Sequence, residues 1–308
     1  MDWFEAITLG IIQGITEFLP ISSDGHLAVA TQAFAARRGT RVDGSAALFF
    51  NVMLHLGTLT AIVLHYRRGA VDGAKGLLGE TAVPPAFRRA SVVRAGLLAA
   101  LATLPAVVVG LLLKDFIEES TASPIMAAAG FLVTAAVLLV TLRLPGGTKG
   151  AAETTPLDAL LIGMAQAVAI LPGVSRSGMT IATALGRGLD RTWAVGFSLF
   201  MAVPAILGAC VLELKDVDRA LLTPERITQT VVATIVSGLV GYLAIVGLVR
   251  IVRAGRLWYF SVYLIVLAAV VFLVLANRGE ASHAAWSLPL DRAGFGLAGG
   301  LAGAGRAG

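Results

Sequence analysis

The chain has 308 residues, 57% of them hydrophobic and 14% charged, with a formal net charge of +5 and a mean hydropathy of +0.84. An ordinary soluble domain is about 25% charged, so the composition excludes a water-soluble globule, and a chain this apolar is not disordered either. The basic excess is no nucleic-acid signature, because Lys and Arg gather at the ends of membrane spans.

In chain order the apolar stretches run over 4–19, 26–36, 46–66, 92–113, 122–142, 156–171, 178–188, 193–212, 227–249 and 257–276. At 1.5 Å per residue, six of them (46–66, 92–113, 122–142, 193–212, 227–249 and 257–276) are long enough to cross a bilayer. The other four are too short, and they form two adjacent pairs, each broken by Pro, Ser and Gly. The order short, short, long, long, long therefore occurs twice. It predicts an all-α polytopic membrane protein with six transmembrane helices plus two re-entrant helix pairs in an inverted repeat. The single membrane domain would cover 1–276, with repeat halves at about 1–142 and 156–276, and 277–308 would be a flexible tail. A shift of 153 residues supports the repeat, superposing Gly10 on Gly163, Gln13 on Gln166, Ser22 on Ser175 and Gly25 on Gly178. If each short pair returns to its own side, each half crosses three times. An odd count inverts the second half, and the broken pairs then meet around a polar midplane site.

With the tail set aside, thirteen Lys and Arg fall on one side of this topology and seven on the other. The richer side is then cytoplasmic and both termini lie outside, although Arg37, Arg38 and Arg41 run against that orientation. The sequence Met1-Asp2-Trp3-Phe4-Glu5 has no positive leader and does not read as a signal peptide. Asp115, Glu118 and Glu119 read as a solvated external loop, and Cys210, the sole cysteine, as a small buried apolar residue.

Chemistry concentrates at the two breaks. In the first, Gln13 and Glu17 are four residues apart and share a helix face. An ionised Glu inside an apolar segment costs on the order of a few kcal/mol, so it needs a cation, a partner or a proton. Ser22 and Ser23 open the next short helix as capping residues. The free N–H groups and partial positive charge there also suit phosphate. A serine so placed attacks phosphorus once a base takes its proton, and His26 is the candidate base. The second break, Pro172-Gly173-Val174-Ser175-Arg176-Ser177-Gly178-Met179-Thr180, sets a guanidinium between two serines. Its planar fork of donors fits phosphate, and Gly173 and Gly178 let the backbone approach an anion. Glu17, Ser22, Ser23, His26, Ser175, Arg176, Ser177 and Thr180 together meet the requirements of phosphoryl transfer. There is no Walker loop and no Cys/His zinc spacing.

These residues resemble the signatures of the undecaprenyl-diphosphate phosphatases of the bacitracin-resistance (BacA) type. The first signature stands at Gln13 to His26 and the second at Pro172 to Thr180, with similar stretches at His55-Leu-Gly-Thr58 and from Phe197 to Pro204. The resemblance implies removal of one phosphate from a C55 isoprenyl diphosphate, which recycles the lipid carrier for cell-wall synthesis and confers bacitracin resistance. It also implies a divalent cation (Mg2+ or Ca2+), homodimers, and a bacterial inner-membrane location with the active site toward the periplasm. Carried onto this chain, Ser23 is the nucleophile and His26 the base. Glu17 holds the metal or activates the nucleophile, and Arg176 grips the diphosphate. Gln13, Ser22, Gly25, Gln166, Gly173, Ser175, Ser177 and Thr180 would line the substrate. Two positions depart from the family pattern: Asp24, where Thr or Ser is expected, and Asn51, where an acid is expected. A transporter or flippase of a phosphorylated polyprenyl lipid is the competing reading, but carrying an anion needs no nucleophile or base. A second family of membrane lipid phosphatases is set aside, because no histidine follows Ser175-Arg176 at the required distance.

Overall fold

The computed structural model describes residues 1–39, 44–121, 123–144, 146–217 and 223–277. In chain order the helices are α1 (Trp3–Phe18), α2 (Ser23–Arg38), α3 (Gly44–His65), α4 (Arg67–Leu77), α5 (Arg89–Leu112) and α6 (Lys114–Thr121). They continue as α7 (Pro124–Val140), α8 (Pro156–Val168), α9 (Arg176–Gly186), α10 (Arg191–Glu213), α11 (Pro224–Arg253) and α12 (Tyr259–Asn277). The described residues form no β-strand, only one isolated backbone bridge between Lys149 and Leu189. Six helices, α3, α5, α7, α10, α11 and α12, are long and apolar enough to cross a bilayer, and the chain is a multi-pass membrane protein.

All ten apolar stretches are helical, with ends moved by a few residues. Two further helices lie between the apolar stretches. α4 is short and basic, and α6 replaces the external acidic loop, because apolar length is a signal that detects spans and misses charged helices. The side chains of Asp115, Glu118 and Glu119, together with Arg41, Arg219 and the predicted flexible tail from 278 onward, lie outside the described residues.

Local chemistry sets the helix ends. Asp2 and Glu5 cap α1 reciprocally, and Thr155 and Asp158 do the same for α8, with Pro156 at its first position. α1 stops because Pro20 holds the preceding Leu19 extended. The N3 acids of these capping boxes have a second role. Glu5, buried, pairs with Arg38 in the last turn of α2. Asp158, also buried, accepts from Arg187 at 2.8 Å, one residue past α9, and from Lys149 at 3.3 Å. The start of each pair's first helix is thereby tied to the end of its second.

Packing then crosses between the halves. α1 lies along α11, α8 lies along α5, α3 packs on α11, and α7 on α12. Helices in lipid associate by close contact rather than by hydrophobic burial, and glycines set the approach. A Cβ on Gly10 would stand 2.7 Å from the Ala233 carbonyl oxygen, and one on Gly163 would stand 2.3 Å from that of Ala102. The largest fully buried side chains include Phe18, at the end of α1, Phe197, and Phe131, which packs against Gly25 and His26 of the first break.

Candidate active site

The first break turns on Ser22, whose φ of 70° is the only positive value among the described non-glycine residues. A non-glycine backbone held there costs about 1–3 kcal/mol. What it brings is a reversal tight enough to begin α2 beside the end of α1. The Ser22 hydroxyl still caps α2, accepting from the Gly25 amide at 3.4 Å, and Gly25 has no room for a Cβ, which would stand 2.6 Å from the Phe131 ring.

Glu17 is the hub. It is buried, and its Oε2 accepts from Gln13 Nε2 at 3.0 Å and from Ser23 Oγ at 2.8 Å. Its Oε1 accepts from Arg176 Nη2, forming an ion pair across 159 positions of sequence. A buried carboxylate needs this many donors, since an unpaired one would cost several kcal/mol, on the order of 3–5. Ser177 Oγ adds a second link between the breaks, donating to the Leu19 carbonyl at 3.2 Å.

The second break is held differently. Its positive φ falls on Gly173, at 79°, where a Cβ would also stand 1.9 Å from the Ala127 carbonyl oxygen. The Ser175 amide donates to Thr134 Oγ1 at 2.9 Å, and its hydroxyl caps α9 on the Gly178 amide at 3.2 Å. Thr180 Oγ1 donates to the Arg176 carbonyl at 2.8 Å and lies 2.6 Å from Ser198 Oγ.

His26 lies against Phe131 of α7 and Tyr263 of α12. Its Nδ1 is 2.7 Å from the Ser22 carbonyl oxygen and its Nε2 is 2.7 Å from the Tyr263 hydroxyl. His55 of α3 completes the surroundings. Its Nδ1 reaches the Asn51 carbonyl at 2.8 Å, and its Nε2 is 3.6 Å from Glu17 Oε2 and 3.9 Å from Asp24 Oδ1.

Glu17, Ser23 and Arg176 are therefore brought together, as the sequence led us to expect, but two roles shift. The Ser23 hydroxyl donates to Glu17 and not to His26, whose ring nitrogens have other partners. The reason is the reversal at Ser22, which aims the imidazole toward α12 while Ser23 faces back onto α1. The predicted substrate contacts Gln13, Ser22, Gln166, Ser175, Ser177 and Thr180 are all buried. Gln13, Ser22, Ser175, Ser177 and Thr180 hold the two turns together, while both amide atoms of Gln166 lack a partner. Gly25 and Gly173 likewise serve close packing against Phe131 and Ala127. Ser23, Asp24, His26 and Arg176 are the polar side chains of the two breaks with exposed surface, and Asp24, at 66%, is the most open.

Sequence reasoning did not give site roles to His55 or Tyr263. A histidine within a span is itself a signal of function. A tyrosine in an apolar run reads as a belt residue, and nothing local links it to a partner 237 positions away.

Comparison with known proteins shows the family of the chain. The family described as bacitracin resistance protein BacA matches residues 6–270. An undecaprenyl-diphosphatase of Carboxydothermus hydrogenoformans is 36% identical over 282 residues, covering 91% of this chain and all of the relative. One from Alcanivorax borkumensis is 38% identical, covering 90% and all. Undecaprenyl-diphosphatase 4 of Bacillus thuringiensis subsp. konkukian is 38% identical, covering 85% and 93%.

Proposed function

We infer what the chain does from the premise that it belongs to the bacitracin resistance protein BacA family. It is an undecaprenyl-diphosphatase, a membrane enzyme that hydrolyses undecaprenyl diphosphate to undecaprenyl phosphate and inorganic phosphate. The observation that carries this onto particular atoms is the chain of contacts from the Ser23 hydroxyl to Glu17 to Arg176.

Ser23 Oγ attacks the terminal phosphorus while its proton passes to Glu17 Oε2, already its hydrogen-bond partner. The bond from that phosphorus to the bridging oxygen breaks, undecaprenyl phosphate leaves with the electron pair, and the phosphoryl group stays on Ser23. Arg176 donates to Glu17 through Nη2, so other donors of its fork remain for the phosphate oxygens. Water then attacks the phosphoserine, the bond from phosphorus to Ser23 Oγ breaks, Glu17 returns its proton to Oγ, and phosphate and free Ser23 are released. For that water the base is Nε2 of His26, the nitrogen left without a proton when Nδ1–H serves the Ser22 carbonyl. Nε2 takes the water's proton once the water replaces the Tyr263 hydroxyl on its lone pair. Stabilisation of the charge spread over the transferring group is the larger part of such catalysis.

A divalent cation fits as a ligand shared with substrate. Magnesium-type sites commonly take one or two carboxylates plus substrate phosphates, and no cluster of three or more metal-ligating side chains stands ready among the described residues. Glu17 would hold it, and when bound it would neutralise phosphate charge.

The same reading makes the two broken pairs re-entrant and the halves an inverted repeat. Supporting it at the 153-residue shift, the capping box of Asp2 with Glu5 corresponds to that of Thr155 with Asp158. The clamps of Glu5 with Arg38 and Asp158 with Arg187 keep both ends of each pair on one side. The assignment extends to the bacterial inner membrane, an active site open toward the periplasm, and a homodimer.

Phosphate release from undecaprenyl diphosphate by the purified protein in detergent tests the proposal. Wild type is expected to lose turnover when EDTA removes the cation and to regain it with Mg2+ or Ca2+. Full hydrolysis retained by both Ser23→Ala and Arg176→Ala would overturn the roles of these two side chains. A wild type that releases no phosphate yet moves the lipid between leaflets would make it a carrier.

A further inference from the structure

We propose that α4 is a membrane-surface anchor, laying Val71, Ala74 and Leu78 on the bilayer and binding the headgroups of anionic phospholipids through Arg68 and Lys75. α4 carries no residue of the hydrolytic site, so this role is separate from the reaction.

Its place in the fold is at the end of the spans. Only Tyr66 separates α4 from the end of the α3 span at His65. The Tyr66 hydroxyl lies near the start of α10, where a Cβ on Gly196 would stand 3.9 Å from it. From there α4 does not lead away from the bundle. A Cβ on Gly69 would stand 3.2 Å from the Phe87 ring, and one on Gly76 would collide with the Phe87 carbonyl oxygen. The two glycines are about 10 Å apart along the helix, and both meet the residue that stands two before α5. Gly73, between them, faces Phe87 and Val92 of α5. α4 therefore lies across the entry to α5, at the level where α3 ends and α10 begins.

The three glycines form the packed face, and the rest of the helix is turned outward. Val71, Ala74 and Leu78 follow one another at steps of three and four, which makes one apolar stripe. Val71 is 53% exposed and Leu78 is 85% exposed. Arg68 and Lys75, seven apart, run along the edge of that stripe and are exposed. Among the described residues their side chains make no hydrogen bond or ion pair, and neither do those of Arg88 and Arg89 at the neighbouring start of α5. Asp72, the single acid of α4, is half-buried. An 11-residue helix with glycines at 69, 73 and 76 would not hold by itself in water. One side rests on Phe87, and the other has the apolar face and basic rim of a helix lying in a headgroup layer. The occupant that fits this rim is anionic. Between 67 and 89 the chain carries Arg67, Arg68, Lys75, Arg88 and Arg89 against Asp72 and Glu80, and each such cation at an anionic surface adds its own attraction.

A nitroxide on Leu78→Cys, in full-length protein carrying Cys210→Ser so that one thiol remains, tests the proposal. The labelled protein is placed in lipid discs of phosphatidylglycerol mixed with phosphatidylcholine, or of phosphatidylcholine alone. Collisions of the label with oxygen, which enters lipid, and with a neutral nickel chelate, which stays in water, are read by electron paramagnetic resonance. In the mixed discs oxygen should reach the label and nickel should largely be kept away. Nickel collisions should rise by roughly two- to fivefold in phosphatidylcholine alone. Arg68→Glu combined with Lys75→Glu should give the same rise in the mixed discs, with elution volume and circular dichroism reporting that the variant is folded. A label as open to nickel in the mixed discs as in water would place the face in solvent and overturn the proposal. So would a label closed to both agents, which would mean that protein covers the face. Equal nickel collisions in the two kinds of disc would overturn the binding of anionic headgroups, and that comparison needs no charge variant.

Discussion

The break between α1 and α2 and the break between α8 and α9 share one frame. Each follows a helix opened by a reciprocal capping box, each is closed by an acid–arginine clamp, and each ends in a serine capping a glycine amide three residues on. What fills the frame differs. At the 153-residue shift Glu17 corresponds to Ile170, Ser23 to Arg176 and His26 to Met179. Gln13 has Glu17 to bond, whereas Gln166 has an isoleucine at that spacing and both its amide atoms stand unpaired. The first break carries its positive φ on a serine, the second on a glycine. One turn thus strains a serine and carries the carboxylate, the hydroxyl and the imidazole, and the other turns on a glycine and carries the guanidinium. The two breaks share caps and clamps but not the side chains to which the proposed mechanism assigns the reaction.

Substitutions that exchange or remove these differences test the comparison. The largest effect is expected from Glu17→Gln, which takes away both the proton acceptor and the partner of Arg176. Phosphate release should fall by roughly 10²–10⁴-fold, and activity near wild type would mean the first break is not the chemical one. Next is Gly173→Ala, which forces a side chain into a positive φ and against the Ala127 carbonyl. Thermal unfolding in detergent should show a loss of about 1–3 kcal/mol or more, and an unaffected midpoint would contradict the tight second turn. Ser22→Gly should act in the opposite sense on stability. It relieves the strained angle, and a glycine cap gives up only about a few tenths of a kcal/mol, so the midpoint should rise while turnover falls through a looser His26. The smallest effects separate the two glutamines. Gln166→Leu removes an unsatisfied buried amide and should be neutral or stabilising with full activity. Gln13→Leu should lower turnover by roughly two- to tenfold through Glu17.

Much of this frame is legible in the sequence. A span is recognisable because apolar length is a local property, and the breaks because Pro, Gly and Ser interrupt it. The acid, the hydroxyl and the guanidinium stand out as polar groups where lipid should be. What sequence does not carry is direction. That Ser23 turns to Glu17 rather than His26 depends on one backbone angle at Ser22, and no composition rule predicts a positive φ on serine. The roles of His55 and Tyr263 are contacts across α3 and α12, fixed only once the helices have packed. Arg176 and Glu17 were expected to share a site, but their direct pairing follows from α9 meeting the end of α1, which no spacing announces.

The crossing of α1 onto α11 and of α8 onto α5 also has a temporal side. α1 is synthesised more than two hundred residues before its principal partner, and at about 5–20 residues per second that is a wait of roughly 10–40 s. During that wait Gln13 and Glu17 have neither Arg176 nor α11 beside them. α8 finds α5 already made. Biogenesis is therefore lopsided, and the helix that holds Gln13 and Glu17 waits longest for its shelter.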